Sequence, residues 1–183
     1  MKVKMDLHTH IWEATGCVPP TVEVVDLVLR QIESQGIDGI GITDHHNKDY
    51  AFAFKEIAET EFPGRAIILP GWEINVRPEE SPFDEYHMGE LFFPDGKVLR
   101  SYNHPGYYTP NIIIENGVQA IEIANPGHNW HIRKSQVEQI AQERGLMLFS
   151  VSDAHRVEKI GTSYTEVDVE ELHLRAVSLP LSV

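Results

Sequence analysis

Residues 21–45 read TVEVVDLVLRQIESQGIDGIGITDH. Val24, Val25, Val28, Leu29 and Ile32 recur at the spacing of one helix face, with Thr21 placed to cap the helix and Gly36 to stop it. Gly39 to Thr43 then reads as a strand that ends on Asp44-His45-His46. A helix that hands over to a strand with a polar downstream end is the working unit of α/β proteins, and the pattern continues in both directions. Upstream, Lys2 to Leu7 is a first strand. Downstream, Tyr50 to Thr60 is helical, and Ala66 to Leu69 is a strand leading into Gly71-Trp72-Glu73. Met88 to Phe93 and Lys97 to Tyr102 flank Pro94-Asp95-Gly96, a hairpin turn signal. Gln119 to Ala124 reads as a strand, Lys134 to Arg144 as a helix stopped by Gly145, and Leu146 to Val151 as a strand running into Ser152-Asp153-Ala154-His155. Pro78 to Glu85 is a loop, Asp168 starts a short helix, and Ala176 to Val183 is a final strand or tail. This alternation predicts an α/β fold with a largely parallel sheet, closed as a barrel rather than left open. An eight-unit barrel takes about 250 residues, so this chain requires a shortened, distorted version with helices missing.

The chain has 183 residues, 42% of them apolar and 23% charged, as expected for one folded domain over residues 1–183. Its 15 Lys+Arg against 28 Asp+Glu give a formal charge of −13. Such a field disfavours capture of a long nucleic acid, unless bound cations reverse the sign locally. Cys17 is alone and cannot close an intrachain disulfide. Asp6, His8 and His10 interrupt the place where an export signal would need an apolar run, and no run is long enough for a membrane helix. The expectation is a cytoplasmic protein without membrane contact; the oligomeric state is left open.

The ten histidines carry the functional signal. His8, His10, His45, His104 and His155 fall at downstream ends of predicted strands, and in a parallel barrel those ends converge on one rim. Asp6-Leu7-His8-Thr9-His10 has the strand period of two, which projects Asp6, His8 and His10 to one side with Leu7 opposite. His45 is the candidate ligand of its motif, and Asp44 the group that fixes its tautomer. Glu73 ends a strand. His87 opens a β-rich run, and Pro105 is expected to hold His104 extended. Asp153 and His155 again sit two apart. His128 reads as a substrate contact or proton donor, and Arg156 as either a phosphate clamp or an exposed loop residue. Trp12, Tyr107 and Tyr108 can stack on a base or simply pack; His131 and His173 read as structural or solvated.

Asp-x-His-x-His, Thr-Asp-His, Gly-x-Glu, His-Pro and Ser-Asp-Ala-His occur in an order that resembles the PHP (polymerase and histidinol phosphatase) family across residues 6–155. The resemblance implies a distorted (β/α)7 barrel of the PHP type in a compact version, with a trinuclear metal site that hydrolyses phosphate esters. By motif, His8, His10, Glu73 and Asp153 hold the first ion, and Glu73, His87 and His104 the second. His45 and His155 match ligands of a third, whose remaining ligand is commonly an Asp or His shortly after the first motif. Thr15 stands there instead, so either Glu13 substitutes or the protein works with two ions. The donor set suits zinc, manganese or iron, with a metal-bridging hydroxide as nucleophile. The expected substrate is a small phosphomonoester or short nucleotide. The alternatives are a metal-dependent hydrolase of a C–N or ester bond, and a catalytically silent metal-binding module.

Overall fold

Helix α2 (Val22–Gln35) starts where the Thr21 hydroxyl accepts the Val24 N–H, and ends at Gly36 with φ 64°. It buries Val25, Val28, Leu29 and Ile32, the expected stripe with Val24 half-buried at its margin. The following strand β2 (Gly39–Ile42) is buried throughout. Its glycines are a packing requirement: a Cβ on Gly39 would lie 2.2 Å from the Ile67 carbonyl oxygen, and one on Gly41 2.8 Å from that of Leu7. Strand β2 is squeezed between β1 (Lys2–Thr9) and β3 (Ile67–Val76), and pairs parallel to both.

The computed structural model describes residues 1–178. After β1, the single turn α1 (Ile11–Ala14) precedes α2; α3 (Lys48–Glu61), capped by Asn47, connects β2 to β3. Strands β4 (Tyr86–Phe92) and β5 (Lys97–Asn103) follow β3 as an antiparallel meander. Parallel pairing then resumes through β6 (Ala120–Ala124), α4 (Lys134–Arg144) and β7 (Met147–Ser150). Strand β8 (Thr165–Asp168) pairs antiparallel to β1, and α5 (Val169–Arg175) leads to β9 (Val177–Ser178) against the start of β5. The expected tail from Ala176 is thus a short strand at 177–178; the rest of that segment lies outside the described residues.

Strands β1 to β7 lie side by side in chain order. The ring closes nearly: Thr9 bridges Ala154, His10 N–H donates to the Ala154 carbonyl at 3.0 Å, and Thr165 Oγ1 joins Ser150 of β7 to β8. The fold is the expected distorted α/β barrel, with the meander replacing two helical crossovers. Among the described residues no helix is long and apolar enough to cross a membrane.

The barrel has an apolar floor. Met5, Leu7, Leu69, Leu91, Leu99 and Phe149 pack together, while Ile40, Ile42 and Ile68 face the core under α2 and α3. On β1 the simple alternation breaks. Asp6 pairs with Ile40 but Thr9 with Ile42, so β1 holds one extra residue. This bulge re-aims the side chains after it: Leu7 stays in the floor, yet His8 also turns inward. Asp6 is left outside, where its carboxylate accepts N–H bonds from Ser152 at 2.9 Å and Gly161 at 2.8 Å. The expectation that Asp6 and His8 share one side is corrected accordingly. Burial drives the Asp6 pKa up to about 6 against the pull of those hydrogen bonds.

Candidate metal centre

Each strand that contributes to the floor carries a polar residue further along the same face. On β3 Leu69 is followed at period-two spacing by Glu73, on β5 Leu99 by Asn103, and on β6 Ala120 by Glu122; Phe149 and Val151 lead on to Asp153. Strand β4 runs the other way, so its first turn of pleat, not its last, reaches this rim: His87 sits opposite Asn75 of β3 and Asn103 of β5. Glu73 is not a strand end, as expected from sequence, but lies inside a ten-residue strand. Beyond β2, Asp44 to His46 continue the pairing with Glu73, which sets His45 beside it.

Four side chains from three directions converge first. His8 Nε2 lies 2.9 Å from His10 Nε2, 3.3 Å from Glu73 Oε1 and 3.4 Å from Asp153 Oδ1; His10 Nε2 is 3.1 Å from Asp153 Oδ1 and 3.6 Å from Glu73 Oε2. Glu73 also faces the next group, with His104 Nε2 3.2 Å from Oε1 and His87 Nδ1 and His45 Nδ1 each 3.2 Å from Oε2. The third group is Glu13 with His155 Nε2 at 3.6 Å, His10 Nδ1 at 3.8 Å and His45 Nε2 at 4.0 Å. Glu13, the suggested substitute for the missing ligand, stands beside these histidines. Thr15 turns its hydroxyl back to the Ile11 carbonyl at 2.8 Å.

The electrostatics are those of a site built around positive charge. Burial pushes the Glu73 carboxyl up, but the His8 charge and the imidazoles of His104, His8 and His87 beside it outweigh this and hold it well below the carboxylate range. Burial likewise opposes ionisation of Asp153, and the His8 charge with bonds from His10 and His128 overcomes it. For His8, burial favours the neutral ring, yet Glu73, Asp153 and Glu122 raise its pKa well above the ordinary value. Desolvation wins at His10, which is lowered to about 4. His10 Nδ1, Glu73 Oε2, His87 Nδ1 and His104 Nδ1 are buried without a hydrogen-bond partner. Each such atom costs about 1–3 kcal/mol, a cost that cations beside His10 Nδ1, Glu73 Oε2 and His87 Nδ1 would offset. Among the described residues, three or more donor atoms lie within 4.8 Å of one another in each of five overlapping groups, so the residues fit divalent metal binding by mixed imidazole and carboxylate donors.

Several residues depart from their sequence reading. Asp44 does not hold His45; its Oδ1 accepts the Glu13 N–H at 3.3 Å, tethering the turn that presents Glu13. His104 has φ 28° and Asp153 φ 53°, so Pro105 does not keep His104 extended and Asp153 is no strand residue. The chain turns sharply at the rim, sending the His104 N–H to Glu122 Oε2 at 2.7 Å and the Asp153 N–H to the His8 carbonyl at 3.0 Å. Asp153 and His155 still meet, Oδ1 to Nδ1 at 3.6 Å. His128 stacks on His104 with ring centres 4.4 Å apart and sets Nε2 3.4 Å from Asp153 Oδ2, a position that also groups it with potential ligands. Arg156 is 77% exposed beside Glu158, outside the cluster. Trp12 packs against the core under α2 and α3, whereas Tyr107 and Tyr108 line the metal-cluster cavity.

Three supporting residues escaped the sequence reading. Glu122 Oε1 takes a 2.6 Å bond from His8 Nδ1, which fixes the ring so that Nε2 faces the cluster. Asn103 Nδ2 donates to Glu73 Oε1 at 2.8 Å, and Asn125 Nδ2 to Asp153 Oδ2 at 3.2 Å. The only available signal was a carboxylate between two isoleucines at 121–123.

An α/β barrel that gathers imidazoles and carboxylates at one rim is the class of structure the fold and site define, and known structures share its fold. A candidate metal-dependent phosphoesterase from Bifidobacterium adolescentis ATCC 15703 superposes with a TM-score of 0.68 at 15% identity, over 96% of this chain and 97% of that one. An amidohydrolase from Chromobacterium violaceum, with bound sulfate and no metal, gives 0.63 at 16% identity, over 95% and 97%. A two-domain protein from Bacteroides vulgatus ATCC 8482, containing a predicted PHP-like metal-dependent phosphoesterase, gives 0.54 at 19% identity over 86% of this chain. The chain spans about half of that protein, 53% of its length. No curated protein matches the chain significantly. The PHP-associated family matches residues 131–176. That match covers about a quarter of the chain, and the solved structures share its fold.

Proposed function

We propose that the protein is a metal-dependent phosphoesterase acting on a small phosphomonoester or short nucleotide. The observation that carries this reading is Glu73, a buried carboxylate with imidazole nitrogens 3.2 Å from each of its two oxygens. One carboxylate flanked on both oxygens suits a bridge between two cations. His8, His10 and Asp153 would complete the first position, His87 and His104 the second, and Glu13, His45 and His155 a third. Bound zinc, manganese or iron would supply water ionised near neutral pH and charge neutralisation for the phosphate.

The chain's own residues do the rest. Glu122 orients His8 through Nδ1, and Asn103 and Asn125 fix one oxygen each of Glu73 and Asp153. The metal-cluster cavity has a volume of about 180 Å³, room for a phosphoryl group rather than a whole ligand. His128 stands at its wall, where its ring can give a proton to the departing oxygen. A second reading, hydrolysis of a C–N bond, is favoured by the shared fold of the Chromobacterium violaceum amidohydrolase.

A panel of phosphomonoesters, nucleotides and amides assayed with each of the three metals separates these readings. Turnover of phosphate esters that is abolished by Asp153→Ala or His10→Ala and kept by His173→Ala supports the proposal. Equal turnover by all three variants would refute the site, and turnover of amides alone would refute the substrate class.

A further inference from the structure

An aromatic wall leads outward from the candidate metal centre. Tyr107 stands edge-on to His128, with ring centres 4.5 Å apart, and to His131, at 5.0 Å; Trp130 lies on His131 at 3.4 Å. Tyr107 is 42% exposed and Trp130 78%. Large aromatic surface left in water and continuous with a site marks a place for a ligand more than a packing need. A second cavity of about 260 Å³ lies there, flanked by the same two turns that flank the metal-cluster cavity, 104–108 and 128–131. Neither cavity alone reaches the roughly 300–1,000 Å³ usual for a whole small-molecule site; the two lie on either side of these turns, with Tyr107 lining the first and Trp130 the second. Arg133 and Gln136 close the second cavity with hydrogen-bond donors.

We infer that this wall is the leaving-group subsite, and that it takes a planar aromatic group bearing acceptor atoms on its rim, such as a nucleobase. The inference rests on the phosphoesterase reading for the neighbouring cavity. Face-on contact with Tyr107 and Trp130 binds the ring, and Arg133 with Gln136 meets its polar edge.

The test uses metal-loaded protein with adenosine 5′-monophosphate, phenyl phosphate and glycerol phosphate. In Tyr107→Ala and Trp130→Ala, KM for the two aromatic esters is expected to rise about tenfold, the usual worth of one stacked ring. With glycerol phosphate KM of Trp130→Ala stays within about twofold of the parent, and its kcat changes little for all three esters. An equal rise for all three esters, or no rise, overturns the subsite. Should the parent hydrolyse none of them, the phosphoesterase reading fails by itself and the subsite is judged by binding. Saturable quenching of tryptophan fluorescence by adenosine 5′-monophosphate but not by ribose 5-phosphate, lost in Trp130→Phe, sustains it; no such quenching overturns it.

Discussion

The residue on which most of the cluster depends, though it never reaches a candidate cation position, is Glu122. It is 1% exposed and spends one oxygen on His8 Nδ1 and the other on the His104 N–H and Asn125. Glu122→Gln keeps the shape but loses the charge that favours the correct His8 tautomer. Metal affinity, measured by calorimetric titration, is expected to fall by about 10–100-fold with the circular dichroism spectrum unchanged; an unchanged affinity would show that His8 needs no such partner. The residues that offer donor atoms were legible because imidazoles and carboxylates at strand ends have few structural uses in such numbers. Glu122 was not, because Ile-Glu-Ile reads equally well as a strand with one solvated face, and only the curvature of the closed sheet buries that face. Arg156, read as either a phosphate clamp or an exposed loop residue, stands exposed beside Glu158, since adjacency to His155 in sequence does not fix the direction of a side chain.

At the scale of elements, the helices and strands followed their patterns, with Thr21, Asn47 and Asp168 capping helices through their side chains. What periodicity could not supply was the bulge in β1 and the left-handed turns at His104 and Asp153. Both are backbone events that leave no trace in hydropathy, and both decide which way a candidate ligand points. The meander was half legible: its turn was evident, but not that reversing β4 would bring His87 to the same rim as Glu73. Strand β2 offers the sharpest element-level test. Gly39→Ala forces a methyl against the Ile67 carbonyl, and the overpacking is expected to cost about 1–3 kcal/mol in chemical denaturation. Wild-type stability in this variant would mean that β2 and β3 are not packed as described.

At the scale of the whole molecule, the barrel brings residues 8 and 153, from opposite ends of the chain, within 3.4 Å of each other. Closure of this kind was predicted from the alternation of elements, yet the contacts that complete it, from Ala154 and Thr165, lie in segments with no periodic signal. A cluster that gathers side chains of β1, β3, β4 and the β5 and β7 ends couples cation binding to the stability of the entire ring. At a cation concentration 100-fold above Kd, binding contributes about 2.7 kcal/mol. Chelation is therefore expected to lower Tm by about 5–10 °C in a scanning calorimeter, since roughly 2–4 °C accompany each kcal/mol in a domain of this size. No change in Tm would mean that the groups hold no ion, whereas a lower Tm without turnover by the loaded protein would favour a silent metal-binding module. The most direct test is a crystal structure of the metal-loaded protein with anomalous scattering recorded at the metal edge. The account predicts an ion about 2.0–2.3 Å from His8, His10, Glu73 and Asp153, with Glu73 shared by a second ion next to His87 and His104. Anomalous density confined to the surface, with these side chains turned away from any common ion, would contradict it.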